Sequence, residues 1–365
     1  MNIVYKYIFV IMSFYFFLLL AICFTSMVIS MSGMPVRTRN RALLWSVGLL
    51  LLFFAMFRGV TVGADYYVYL RYLVTLSERG YWEMITDDTL RFEKGYISLT
   101  WLLGSISVAP QFFSFVIYSV FLFFSFRIIG KYSHSVWLSL FLFVAMSFYS
   151  NSYNTLRQSI SMCICWYGIP ALISNHKWRF LLTVFIAFLF HKTAFLFAVM
   201  ALFTKRISMK QTLLLLSLTF VGVLFLGPVV NVFVDILNLI DYTESESSGG
   251  GYTLLAFYCI MLFAIRYVGN RQPELKDNPV IDVFLNMLLL AVLIQMLALK
   301  LSILTRCTEF FRFSLVILIP NVLMSFRKKE RMLLITACVT LFTLYFVAAN
   351  KSNLAGIIPY EFITF

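Results

Sequence analysis

Apolar runs of roughly 15 to 25 residues follow one another along the chain, broken by short polar stretches. They predict helices over 6–30, 42–57, 111–129, 135–150, 158–174, 179–191, 192–204, 211–231, 252–268, 279–300, 312–326 and 331–349. Runs this apolar read as membrane crossings, because a helix satisfies its own backbone in lipid. Gly95–Val108 is short for a crossing and ends at Ala109-Pro110. It reads either as a crossing or as a helix lying on or dipping into the membrane. The longest polar stretch, 58–97, reads as a loop carrying part of a site.

Charge decides how Gly95–Val108 is placed. If it does not cross, one set of loops holds Arg37, Arg39 and Arg41, then Arg127 and Lys131, then Lys177 and Arg179. The same set continues with Lys205, Arg206 and Lys210, then Arg266, Arg271 and Lys276, and ends on Arg327, Lys328, Lys329 and Arg331. These are most of the 29 basic residues, set against only Glu274, Asp277, Asp282 and Glu330, while the other side is balanced. The positive-inside rule makes the basic loops cytoplasmic. Both termini and 58–97 are then external. A crossing at 95–108 would scatter the basic loops over both sides. The expected fold class is an all-α polytopic membrane protein of about 12 transmembrane helices, a single integral membrane domain over 1–365.

Composition agrees: 61% hydrophobic and 12% charged residues exclude a soluble protein. The formal charge of +13 is accounted for by the cytoplasmic loops, so nucleic acid is not an expected partner. Met1–Ser30 lacks a clear small-residue cleavage site and reads as a retained helix. The six cysteines fall in apolar runs or near a helix end, and Cys163-Ile-Cys165 has no second pair, so neither a disulfide framework nor a metal site is expected.

Arg58, Asp65, Glu93, Arg157, His191, Arg306, Glu309 and Arg312 then all lie at or near the external face. The crossings 179–191 and 192–204 are about 13 residues each, reaching roughly 20 Å where the hydrocarbon core is about 30 Å. Their tip, His191-Lys192-Thr193, is expected below the outer surface, where it needs water or polar partners. The picture is an external cavity floored by His191 and walled by arginines.

Four stretches carry the candidate chemistry. In Phe57–Tyr69, FRGVTVGADYYVY, an apolar run ends at Arg58, Gly59 and Gly63 bracket a turn, and Asp65 precedes Tyr66, Tyr67 and Tyr69. A plain helix end with an aromatic belt is the alternative. In Asn151–Ser161, residues Asn151, Asn154, Arg157 or Gln158, and Ser161 share one helix face. Arginine's planar fork suits a diphosphate, and a structural seam between helices is the alternative. Arg306, Glu309 and Arg312 fall at i, i+3, i+6, as anion ligands or as an internally paired ribbon. His191 reads as general base or packed polar residue, since no partner stands at metal-ligand spacing. The acidic, glycine-ended stretch 231–252 reads as a connecting loop or a flexible lid. His134 and His176 fall in cytoplasmic loops and Asp87-Asp88 in a solvated turn. This set suits a lipid diphosphate-linked sugar: arginines hold the leaving diphosphate while a carboxylate (Asp65 or Glu93) or His191 takes a proton from a sugar hydroxyl.

Five motifs in order, R-G-x-T-V-G-A-D-Y-x-x-Y (Arg58–Tyr69), E-K-G-Y (Glu93–Tyr96), N-x-x-R-Q (Asn154–Gln158), H-K-T-A (His191–Ala194) and I-P-Y-x-F (Ile358–Phe362), together with the late arginines, resemble the EpsG family. Its members are similar to the O-antigen polymerase Wzy. The family patterns carry over to Arg58, Gly63, Asp65, Tyr69, Glu93, Arg157, Gln158 and His191. Lys192-Thr193-Ala194 is a mild departure, and Arg306 and Arg312 match less sharply. The resemblance implies a membrane glycosyltransferase (GT-C-like) architecture. It also implies polymerisation of undecaprenyl-diphosphate-linked oligosaccharide repeats at the outer face of the bacterial inner membrane. No cofactor is expected, and no metal, because no cluster of carboxylates or His at the external face has ligand spacing. A chain-length regulator and a flippase are the partner candidates. A ligase- or acyltransferase-like enzyme and a lipid-linked oligosaccharide flippase are the competing functions.

Overall fold

In a computed structural model the chain is described over residues 12–237 and 250–363, the side chains of 226–237 excepted. It is built of helices. They are α1 (Ser13–Met31), α2 (Val36–Met56), α3 (Tyr66–Ser77), α4 (Tyr81–Thr86), α5 (Lys94–Ile106), α6 (Pro110–Tyr132), α7 (Val136–Ala145), α8 (Phe148–Asn151) and α9 (Leu156–Tyr167). After α10 (Ile169–Ile173) and α11 (Lys177–Phe188) a 3₁₀ helix covers Lys192–Leu202. Then come α12 (Met209–Leu237), α13 (Gly250–Arg271), α14 (Pro279–Ala298), α15 (Leu304–Arg312), α16 (Ser314–Met324) and α17 (Lys328–Asn350).

Local chemistry sets the helix ends. Pro110 opens α6 and Pro279 opens α14, positions where the missing N–H is no loss. Asn278 caps α14 by accepting from the Val280 N–H at 3.0 Å. The helix expected over 135–150 breaks at Ser147, whose φ of 63° is left-handed. Asn350 secures that bend by donating to Ser147 Oγ at 3.0 Å. The helix expected over 158–174 breaks at Gly168-Ile169-Pro170, and the one expected over 312–326 starts earlier, at Leu304.

Seven helices among the described residues are long and apolar enough to cross a membrane: α1, α2, α6, α13, α14, the α15–α16 pair, and α17. The other expected crossings are shorter or broken, among them α7 and the 3₁₀ helix. The expected loop 58–97 contains two helices, α3 and α4, and the start of α5. Within it α3 buries Tyr66, Tyr69, Leu70, Leu73 and Leu76, a helical stripe without a long apolar run. The short helix expected at 95–108 is α5. The expected 231–252 loop falls mostly outside the described residues, and α12 runs on to Leu237.

The chain forms two compact units. In the first (1–167, 185–192 and 327–365), α2 and α9 pack on α6, and α1, α2 and α17 pack around α7. Helix α7 is apolar and buried almost all round, as a central helix must be. Helices α1 and α17 show apolar side chains outward, such as Leu20, Phe24, Leu333 and Leu341, which suits lipid contact. The basic residues Arg37, Arg127, Lys131 and Lys328 sit at one end of α2, α6 and α17. The motifs gather at the opposite ends, near Met56, Pro110 and Asn350. In the second unit (168–184 and 193–326), α14 is the core, packed by α10, α12, α13, α15 and α16. There Arg206 pairs with Asp282 at 3.5 Å, and Arg266 donates to Thr212 Oγ1 at 2.7 Å.

Candidate functional site

The first motif folds because a second strand of chain fastens it. After α2 the backbone turns through Gly59–Ala64, and the C-terminal segment runs along it. Gly59 N–H donates to Glu361 O at 2.7 Å, Gly63 N–H to Gly356 O at 2.7 Å, and Ala64 N–H to Ala355 O at 3.0 Å. Ile363 N–H returns a bond to Phe57 O at 2.8 Å, and Tyr360 Oη donates to Phe54 O at 2.7 Å. Gly63 has φ +102°, and a Cβ there would stand 2.6 Å from the Tyr153 carbonyl oxygen. On the far side Asn154 Oδ1 accepts from Asp65 N–H at 2.8 Å. Three motifs distant in sequence are thus parts of one joint.

Arg58 is the pin of that joint. Its side chain is fully buried, donates to Tyr118 Oη at 2.6 Å, and lies over the rings of Tyr66 (3.7 Å) and Tyr153 (4.4 Å). Tyr118 Oη donates on to Ser152 O at 3.0 Å, and Tyr66 Oη bonds Ser114 Oγ at 2.7 Å.

The remaining motifs meet at Glu93, just before α5. Gly95 N–H donates to Leu189 O at 2.9 Å, and a Cβ on Gly95 would come within 2.6 Å of that oxygen, so the backbones touch. This contact brings Glu93 against His191. Glu93 Oε1 stands 3.2 Å from His191 Nδ1 and accepts from Lys192 N–H at 3.1 Å, and Oε2 accepts from Arg157 Nη1. Arg157 also bonds the Tyr69 hydroxyl and lies over the Phe92 ring at 4.1 Å. Burial alone would raise the Glu93 carboxyl, but His191, Arg157 and the backbone N–H groups outweigh it and hold it down to about 2. An ionised carboxylate only accepts, so His191 Nδ1 carries a proton. His191 Nε2 is buried and has no hydrogen-bond partner among the described residues.

Beside this hub lies a cavity of about 330 Å³. It is lined by the apolar Leu90, Phe92, Phe188 and Leu189 and by the polar Asp88, Arg91, Glu93, Lys94 and Lys192. Lys94 Nζ is 3.3 Å from Asp88 Oδ1.

A family model, EpsG family, matches residues 41–362. The chain belongs to the EpsG family. EpsG is a Wzy-like polymerase family. The matched span takes in every motif above, from Arg58 to Phe362. No curated protein and no solved structure matches the chain.

Set against the EpsG motifs, the structure joins Glu93, Arg157, His191 and Tyr69 in one hub. Arg58 and Gly63 lie in the joint, and Gln158 is buried. The Asp65 residue is exposed, one turn of α3 before Tyr69. Arg312 is buried and bonds Glu309 within α15, the paired arrangement, while Arg306 is exposed. Both belong to the second unit. Sequence reasoning named neither Arg91 nor Lys94 as a site residue. A cation two residues before Glu93 in a polar stretch gave no periodicity to flag it.

Proposed function

We propose that this EpsG-family chain is a polysaccharide polymerase. It joins undecaprenyl-diphosphate-linked oligosaccharide repeats into O-antigen, capsule or exopolysaccharide. It works at the outer face of the bacterial cytoplasmic membrane, on a GT-C-like membrane scaffold and by inverting, metal-independent transfer. The observation that carries this reading is the Glu93–His191 pair locked by Arg157, beside a cavity lined by basic and apolar side chains.

The roles follow from the hydrogen bonds. Glu93 fixes the proton on His191 Nδ1, which leaves the Nε2 lone pair to accept the proton of the acceptor sugar hydroxyl. The hydroxyl oxygen attacks the anomeric carbon of the donor, and the bond from that carbon to the diphosphate oxygen breaks. The diphosphate leaves with the bonding electrons. Glu93 stays ionised and stabilises the imidazolium that forms, as a carboxylate beside a catalytic histidine does in acyl transfer. Arg157 positions Glu93. Arg58 keeps the joint. Asp65 and the Tyr69 hydroxyl contact the acceptor sugar.

The test is the purified chain supplied with lipid-linked repeats. Wild type should extend them, and His191→Gln, present at normal level, should leave single repeats. Extension by His191→Gln at the wild-type rate removes the base.

A further inference from the structure

The cavity at Glu93 holds three cationic side chains and two carboxylates, and their pairing leaves a residue of charge. Glu93 is engaged by Arg157 and His191, and Asp88 by Lys94. Arg91 and Lys192 have no ion-pair partner among the described residues, and both are exposed at the cavity. The arginines that the motifs would offer to an anion, Arg157 and Arg58, are turned to Glu93 and to tyrosines instead.

We infer that Arg91 and Lys192 form the diphosphate subsite, and that its ligand is a diphosphate carried on an isoprenoid lipid. This inference rests on the polymerase reading and names the substrate-binding part of the same site. A diphosphate between lipid and sugar bears one negative charge on each phosphorus, which matches two free cations. Arginine offers a planar fork and lysine a mobile point charge, and together they grip a group that must be released after transfer. The apolar lining residues Leu90, Phe188 and Leu189 suit the first isoprenoid units. The position is also right for a leaving group. Lys192 adjoins His191 and its N–H is bonded to Glu93 at 3.1 Å, while Arg91 is two residues before Glu93. A diphosphate held there lies next to Glu93, the carboxylate that faces His191 Nδ1 at 3.2 Å. The cavity, about 330 Å³, takes a head group and leaves the saccharide outside.

The experiment measures farnesyl diphosphate binding to the full chain in phosphatidylcholine nanodiscs, with inorganic diphosphate as competitor. Arg91→Gln and Lys192→Gln should each weaken binding about tenfold, and the double variant about a hundredfold, from loss of charge-assisted bonds. Both positions are exposed, so the variants should melt as wild type does. Arg91→Lys should recover part of the loss. A double variant that binds normally overturns the assignment. So does loss of wild-type binding when phosphatidylglycerol replaces phosphatidylcholine, because the pocket would then be a general phospholipid head-group site. If His191→Gln still makes polymer, the proposed base falls while the binding result stands on its own.

Discussion

Arg157 is the residue whose surroundings change its meaning most. Its helix face and its Asn-x-x-Arg-Gln setting point to an anion ligand, yet its partner is Glu93, distant in sequence and unreadable from spacing. Its removal leaves a largely buried carboxylate without its arginine partner. Arg157→Ala should therefore destabilise by about 3 kcal/mol and lower membrane protein level. Arg157→Lys keeps the charge but loses the fork, and should cost about 1 kcal/mol and retain most activity. Polymer length and protein level, measured for both variants, check this. A stable, inactive Arg157→Ala protein would return the arginine to the substrate. Glu93 carries a pH signature. Its folded pKa is depressed to about 2, so its stabilising effect is full above the ordinary carboxylate value of about 4.3 and fades as pH falls from there toward 2. Wild type should lose thermal stability over that window more steeply than Glu93→Gln, as read by melting in detergent.

Among the elements, the joint of Gly59–Ala64 with the C-terminal segment is the part most exposed to single changes. Gly63→Ala forces a side chain into left-handed backbone and against the Tyr153 carbonyl, 2.6 Å away. It should cost about 2 kcal/mol and sharply reduce polymer, while Gly80→Ala, with open space around it, should do nothing. Comparable effects of the two substitutions would mean the joint is dispensable. Much of this layer was legible. The glycine bracket and the short helix after Glu93 follow from sequence. Helix α3 was not, because its apolar stripe is interleaved with tyrosines in a stretch too polar for a membrane run. The Ser147 break was hidden too, since 135–150 holds no Gly or Pro and its serines fit within a helix. Arg91 and Lys192 are ordinary loop cations until the fold sets them around one cavity.

For the whole molecule, the crossing pattern and the chemistry stand or fall together. The basic ends of α2, α6 and α17 lie away from the motif joint, as the positive-inside rule requires of an external site. A topology reporter placed at Ser133 should read cytoplasmic and one at Gly80 external. The reverse at both would put the hub on the side where the basic loops are, and end the external reading. The most direct measurement is the size pattern of surface polysaccharide on a gel, from cells in which this chain is deleted and then restored. A repeat-unit polymerase predicts that deletion leaves surface material stopped at a single repeat and that restoration returns the full ladder. Loss of every repeat from the surface would contradict polymerisation and point to a flippase or a ligase.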